Sequence, residues 1–501
     1  MKKSLTAADC RDDADGVNSV NLRPSAASVS SAAIFGRALL ALFFSAFLFM
    51  PMLDAAVRPP LSDAVKNGDK EALRSLLQKG ANVNATEGDG ATALHWAGYR
   101  DDLEAADLLI RAGAKVNAAN DLGATPLWAA CQNGSEAMVR RLLAAGANPN
   151  AKLLSGETLV MVAARVGNAG VVEQLLAKGA DPNARASRGQ TALMWAVAQE
   201  HADVVKVLLA HGADVHARSD TWTDVMAVAP HGYLDYNRAV PHGRETPLLF
   251  AASVGDLASA KLLVAAGSDV NETDASGISV TVLAAHSGFT DLVEFLLDKG
   301  ADPNAAKAGF TALHEAIMRR DERMVAALLA HGADANTPLQ TWTPTRRSSR
   351  DYNFEPELVG ATPFWLAARY SEPGALRLLL KHGADARFVH HSDRVVDTSA
   401  AGARGNPFEH RKEVVTPLMA AVGMGGGGAG WVELERSKRE PLVLESVKLL
   451  VDLGIDVNAA NTDGRTALDA AKALKFESVV AYLVEKGAKA GTGGPTRGGR
   501  Q

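Results

Sequence analysis

Three places in this 501-residue sequence hold residue types that could do chemistry. His390, His391 and His410, with Asp393, Asp397 and Glu409 nearby, could offer imidazole and carboxylate ligands to a metal ion. Their spacing fits no zinc-ligand pattern, so no metal ligand is assigned. Gly423-Met424-Gly425-Gly426-Gly427-Gly428 satisfies G-x-G-x-x-G, but that chemistry needs a strand before it and a helix N-terminus aimed at phosphate after it. Here an Ala-rich helix precedes it and no Lys-Ser/Thr follows, so the stretch reads as a flexible linker. Of the two cysteines, Cys10 lies near the start, and Cys131 falls where the repeating pattern described next has a small core residue. A reactive thiol needs an electropositive, partly exposed setting, which that position does not offer. No G-x-S-x-G occurs and no Cys-His pairing is implied. The expectation is a chain with no catalytic residue and no cofactor.

The elements that would position any site belong to one recurring unit, seen whole at residues 188–220, RGQTALMWAVAQEHADVVKVLLAHGADVHARSD. Gly189 supplies a turn, and Thr191 sits where a helix N-cap belongs. A short Ala-rich helix breaks near Glu200 and His201, and a second helix presents Val204, Val207 and Leu208 on one face. Gly212 can adopt the left-handed conformation that closes it. Thr92, Thr125, Thr158 and Thr191 mark the same place every 33 residues, and Thr246, Ser279, Thr311, Thr362, Thr416 and Thr466 continue the series at spacings of 32 to 55 residues. Pro126, Pro247, Pro363 and Pro417 follow four of these caps, at a position where a missing N–H is tolerated.

A helix–turn–helix unit of 33 residues with T-P-L and G-A-D-x-N marks resembles the ankyrin-repeat family. The resemblance spans roughly 430 residues and implies an all-α solenoid of about eleven units, here of an exported bacterial type with long insertions. In that family the seventh and eighth residues after each capping Thr line a concave groove. Carried over, the resemblance nominates Tyr99, Arg100, Gln132, Arg165, His286, Arg319, Arg369 and Tyr370 as partner-binding residues. Arg and Tyr are enriched at protein interfaces, and no acid stands at these positions.

Insertions near 221–243, 340–359, 388–414 and 424–441 interrupt the pattern. Two of them echo each other. Thr221-Trp222-Thr223 and Thr341-Trp342-Thr343 stand in the same phase, and each insertion later contains Asp-Tyr-Asn, at 235–237 and 351–353. Trp222 and Trp342 therefore join the partner-binding candidates, with a structural clasp as the competing reading.

The ends carry different expectations. Residues 1–56 read as a disordered leader plus a secretory signal, because residues 38–50 are apolar and Arg37 precedes them. Residues 34–53 could instead stay attached as a membrane anchor. The solenoid then occupies 57–490, and 491–501 is a Gly-rich disordered tail. These features predict an exported chain, periplasmic or secreted, or one anchored to the inner membrane. A net charge of −5 argues against a nucleic-acid partner. The expected function is a monomeric, non-catalytic scaffold that binds another protein outside the cytoplasm. The alternatives are a regulatory or protective subunit of an exported enzyme, or an enzyme whose site is built from the insertions.

Overall fold

The computed structural model describes residues 59–226, 235, 238–343, 354–397, 408–426 and 434–493. Residues 1–58, which include the expected leader and the apolar stretch at 34–53, and all of the two Asp-Tyr-Asn pieces except Asp235 lie outside them. Among the described residues there are eleven successive helix pairs and two β-hairpins. The chain divides into two compact units. One holds the residues up to Asp220 together with Arg244–Ser268; the other holds Thr221–Gly243 and the chain from Asp269 onward.

The first unit contains six helix pairs, from Pro60–Asn67 to Leu257–Ala265. After the opening pair, which Pro59 precedes, the first helices start where a Thr hydroxyl accepts a backbone N–H, as Thr125 does from Trp128 at 3.2 Å. At Thr92 a reciprocal box forms instead, with the Thr92 N–H donating to His95 Nδ1 at 3.0 Å. His95 Nε2 then donates to the Ala124 carbonyl of the following repeat at 3.0 Å. The turn between paired helices needs one residue at positive φ: Gly134 supplies it at 67°, whereas Glu200 must adopt 60°. Val204, Val205 and Leu208 of the helix Ala202–Ala210 are fully buried, and Leu193, Ala196 and Val197 face them from its partner.

Neighbouring repeats are fastened by a ladder of side-chain amides. Asn84, Asn117, Asn150 and Asn183 each donate to the carbonyl of the next helix-ending glycine, at 2.8–3.2 Å. Each also accepts a backbone N–H two residues beyond that glycine, at 2.7–2.9 Å. At the same place before the two hairpins stand His216 and Arg387.

The second unit has five helix pairs, from Val280–Ser287 to Glu477–Glu485. Its amide ladder runs through Asn271, Asn304, Asn336 and Asn458. The helix Arg436–Asp452, 17 residues long, carries Pro441 in its first turns and is the longest among the described residues. No helix among the described residues is long and apolar enough to cross a membrane. Gly491 and Gly493, at the start of the expected disordered tail, donate to Asp469 Oδ2 at 2.8 Å and to the Gly464 carbonyl at 3.1 Å.

The short turn that precedes each capping Thr explains where three insertions sit. In regular repeats a backbone bond closes it over four residues, as from Ala186 N to Gln190 O at 2.9 Å. Ser219 N to Glu245 O and Leu339 N to Ala361 O, both 2.9 Å, are the same bond with an insertion inside the loop. Within the otherwise all-α solenoid, two insertions form pairs of antiparallel strands. Strand β1 (Thr221–Met226) pairs with β2 (Arg238–Gly243), with Thr221 opposite Gly243. Strand β3 (His390–Asp397) pairs with β4 (Phe408–Val415), with His390 opposite Val415. The second insertion has no strand among its described residues; it returns at Phe354, fully buried against Phe310 with ring centroids 5.4 Å apart.

Candidate protein-binding face

In the first unit the capping threonines fix where each first helix begins, so two turns later the seventh and eighth residues come to its far end. Tyr99 stands there half-buried, edge-on to Trp96 with ring centroids 5.8 Å apart and planes at 84°. Lys66 from the preceding pair lies 4.3 Å from the centre of the Trp96 ring and 2.5 Å from Glu87. Arg100 is exposed. Asn133 fastens the next repeat on by donating to the carbonyls of Gly98 at 3.1 Å and Tyr99 at 2.7 Å. Arg165 donates to Gln132 Oε1 at 3.4 Å and to Glu157 at 3.1 Å, and its guanidinium sits 6.0 Å from the Trp195 ring centre. Tyr99, Arg100, Gln132 and Arg165 thus share one face, with Trp96 and Trp195 beneath. Sequence phase did not show the carboxylates: Glu87 and Glu157 come from the short turns before Thr92 and Thr158 and balance Lys66 and Arg165.

The second unit treats the same positions differently. His286 Nδ1 meets Glu315 Oε2 at 3.0 Å, and the Glu315 side chain is only 1% exposed. Arg319 is drawn back one repeat, donating to the His286 carbonyl at 2.5 Å. Arg369 and Tyr370 are no groove residues at all, being 5% exposed each. Arg369 donates through Nε and Nη2 to the Gly426 carbonyl at 3.3 and 3.2 Å. The glycine-rich connection of the next repeat covers them. Burial lowers the Arg369 guanidinium below its ordinary range and raises the Tyr370 phenol. Gly423–Gly426 is accordingly a packed cover, and Gly427 and Gly428 lie outside the described residues.

The insertion tryptophans are engaged within the second unit. Trp222 stacks on His242, its partner in the hairpin register, at 5.6 Å and 23°. Trp342 lies under the Arg238 guanidinium, 5.0 Å from its ring centre.

The residues weighed for chemistry disperse. His390 is buried, 4.5 Å from the Trp365 ring, and donates to the Glu357 carbonyl at 2.8 Å. His410 meets Asp393 at 3.0 Å and His391 is exposed. No three His, Cys, Asp or Glu side chains among the described residues converge on one point. Cys131 is fully buried, and burial raises its thiol well above the usual range.

Comparison with known proteins places the repeat. A family profile for ankyrin repeats matches in three copies, at residues 61–153, 138–219 and 248–338. The chain is similar to a putative palmitoyltransferase ZDHHC13 of Danio rerio, 26% identical over 47% of this chain and 34% of that protein. It is similar to the E3 ubiquitin-protein ligase KEG of Arabidopsis thaliana, 30% identical over 51% of this chain and 16% of that one. An ankyrin repeat and KH domain-containing protein of Caenorhabditis briggsae is 29% identical over 51% of this chain and 9% of its own length. The chain therefore spans about a third or less of these relatives.

The expectation of an exported bacterial-type chain, periplasmic, secreted or anchored to the inner membrane, is corrected here. These relatives are eukaryotic proteins whose descriptions name no export, and no described helix can cross a membrane. The apolar residues 34–53 lie outside the described part. The matched residues carry the capping threonines, paired helices and amide ladder described above, and the pairs at 363–381, 417–452 and 467–485 repeat those marks beyond them. This chain is an ankyrin-repeat protein.

Proposed function

We propose that the chain is a non-catalytic, monomeric scaffold that holds another protein against the first-helix face of its first unit, with Tyr99, Arg100, Gln132 and Arg165 as the contacts. One observation carries this reading. In four successive repeats the cap is Thr (Thr92, Thr125, Thr158 and Thr191), and the first helix behind it fills the core. At the far ends of those helices the side chains vary in charge and size, reading Tyr99-Arg100, Gln132-Asn133, Arg165-Val166 and Ala198-Gln199. Asn133 is spent on joining repeats and Ala198 is buried, but Tyr99, Arg100, Gln132 and Arg165 serve neither cap nor core and so can specify a partner. Tyr99 on Trp96 and Arg165 over Trp195 are held in place before binding, which lowers the ordering entropy of association. Tyr, Trp and Arg are also the residues that dominate interface energetics. No cofactor, metal or nucleic acid belongs to this reading.

The test is a triple variant, Tyr99→Ala, Arg100→Glu and Arg165→Glu, compared with the parent in affinity capture from the native host. A partner held by the parent and lost by the variant, with urea midpoints alike, supports the face. Equal recovery by both would place recognition elsewhere.

A further inference from the structure

The hairpin β1/β2 starts, in the second unit, beside the short turn that precedes the helix Val280–Ser287: the Gly243 carbonyl accepts from Ala275 N at 2.9 Å. From Gly243 back to Arg238 the strand covers five residues, about 17 Å at roughly 3.4 Å each. There the Arg238 Nη1 donates to Thr341 Oγ1 at 2.7 Å, and the guanidinium covers Trp342. Thr341 belongs to the turn two repeats further on, since its neighbour Gln340 donates to the Gly309 carbonyl of the intervening turn at 2.8 Å. Repeats packed at about 8–10 Å put the first and third of these turns about 16–20 Å apart. The strand is as long as that gap, so it lies along the turns.

The receiving corner is itself fixed. Thr343 N donates to the Phe354 carbonyl at 3.0 Å and Phe354 N to Thr343 Oγ1 at 2.7 Å, while the Phe354 ring is buried beside Phe310 and His314. The echo between the insertions now gains a meaning. After Asp-Tyr-Asn comes Arg238 in one copy and Phe354 in the other. One copy sends out a cation, and the other buries an anchor and presents Trp342.

We propose that β1/β2 is a strap latched by Arg238 into the Thr341–Trp342 corner, joining the two echoed insertions into one element that lies over the turns near 274–278 and 306–310. A partner that needs those turns must first release the latch.

Amide hydrogen exchange on the full chain tests this. Arg238→Ala, a change at an exposed side chain, should raise exchange across β1 and β2 by about 2- to 5-fold, the equilibrium effect of a cation–π contact at a partly exposed site. Trp342→Ala should do the same in smaller measure, and the double variant should exchange no faster than Arg238→Ala alone, because that change already removes both the ring contact and the bond to Thr341. Arg238→Lys should retain part of the protection. Unchanged exchange at β2 in Arg238→Ala, or effects of the two single variants that add in the double, would overturn the latch.

Discussion

His95, His314 and His390 are held neutral by burial, with pKa values below the ordinary imidazole range; His314 is pushed down to about 4. A folded value below the unfolded one of about 6.5 means the unfolded chain binds more protons between pH 6.5 and 4, so stability is complete above that window and drains away as pH falls through it. His314 alone should forfeit about 2 kcal/mol between pH 7 and pH 5. Urea midpoints at the two pH values should show it, and His314→Gln should narrow the difference, because a Gln can still accept from Thr311 N without titrating. Glu200, exposed at φ 60°, is a second residue-scale case. Glu200→Gly should raise stability by about 1 kcal/mol by removing the left-handed penalty, read as a higher denaturation midpoint. Arg369 is the residue that sequence phase misplaced. Its cover, Gly426, arrives 57 residues later in the chain, and nothing near Thr362 announces it. Arg369→Glu should therefore lower stability by several kcal/mol, whereas Arg165→Glu, half-exposed, should change it by about 1 kcal/mol or less. The two midpoints measured side by side distinguish these positions.

At the scale of elements, what was legible followed from local chemistry. Cap threonines, the 3.6-residue apolar stripe and closing glycines all act within one helix pair, so eleven pairs could be read without any structure. The hairpins were not legible in that way. β1 reads Thr-Trp-Thr-Asp-Val-Met, which alternates weakly, and its partner β2 contains Pro241. Neither strand has the clean apolar alternation by which a sequence announces a hairpin. The carboxylates Glu87 and Glu157 escaped notice for a related reason: each sits on a turn, out of phase with the helix position it neutralises. The amide ladder is the element most open to a direct test. Asn150→Ala removes one donor and one acceptor and should destabilise by about 2 kcal/mol, at roughly 1 kcal/mol for each bond. Because repeats hold only their neighbours, the faster amide exchange should concentrate in the helices at 126–177 and fade beyond them.

For the whole molecule, the contacts assign Thr221–Gly243 to the second unit although the chain enters and leaves it from the first. The first unit should then fold without it. Joining Ser219 to Glu245 through Ser-Arg-Gly, the residues that join Ala186 to Gln190, restores the short turn. A chain of residues 59–268 so altered should give a helical circular dichroism spectrum and a cooperative urea transition. A spectrum without helix would show that the hairpin is required for the first unit to form.

The backbone bond at the base of each short turn has a consequence for how such a chain can change. It holds two positions at one separation whatever lies between them, and lengthening the span from four residues to 26 adds only about 1.6 kcal/mol of closure entropy. Each turn is thus an interchangeable socket: a segment can be traded in or out there while the helices behind it keep their register. A peptide grafted between Asn120 and Ala124 should be displayed at that edge with the parent fold intact.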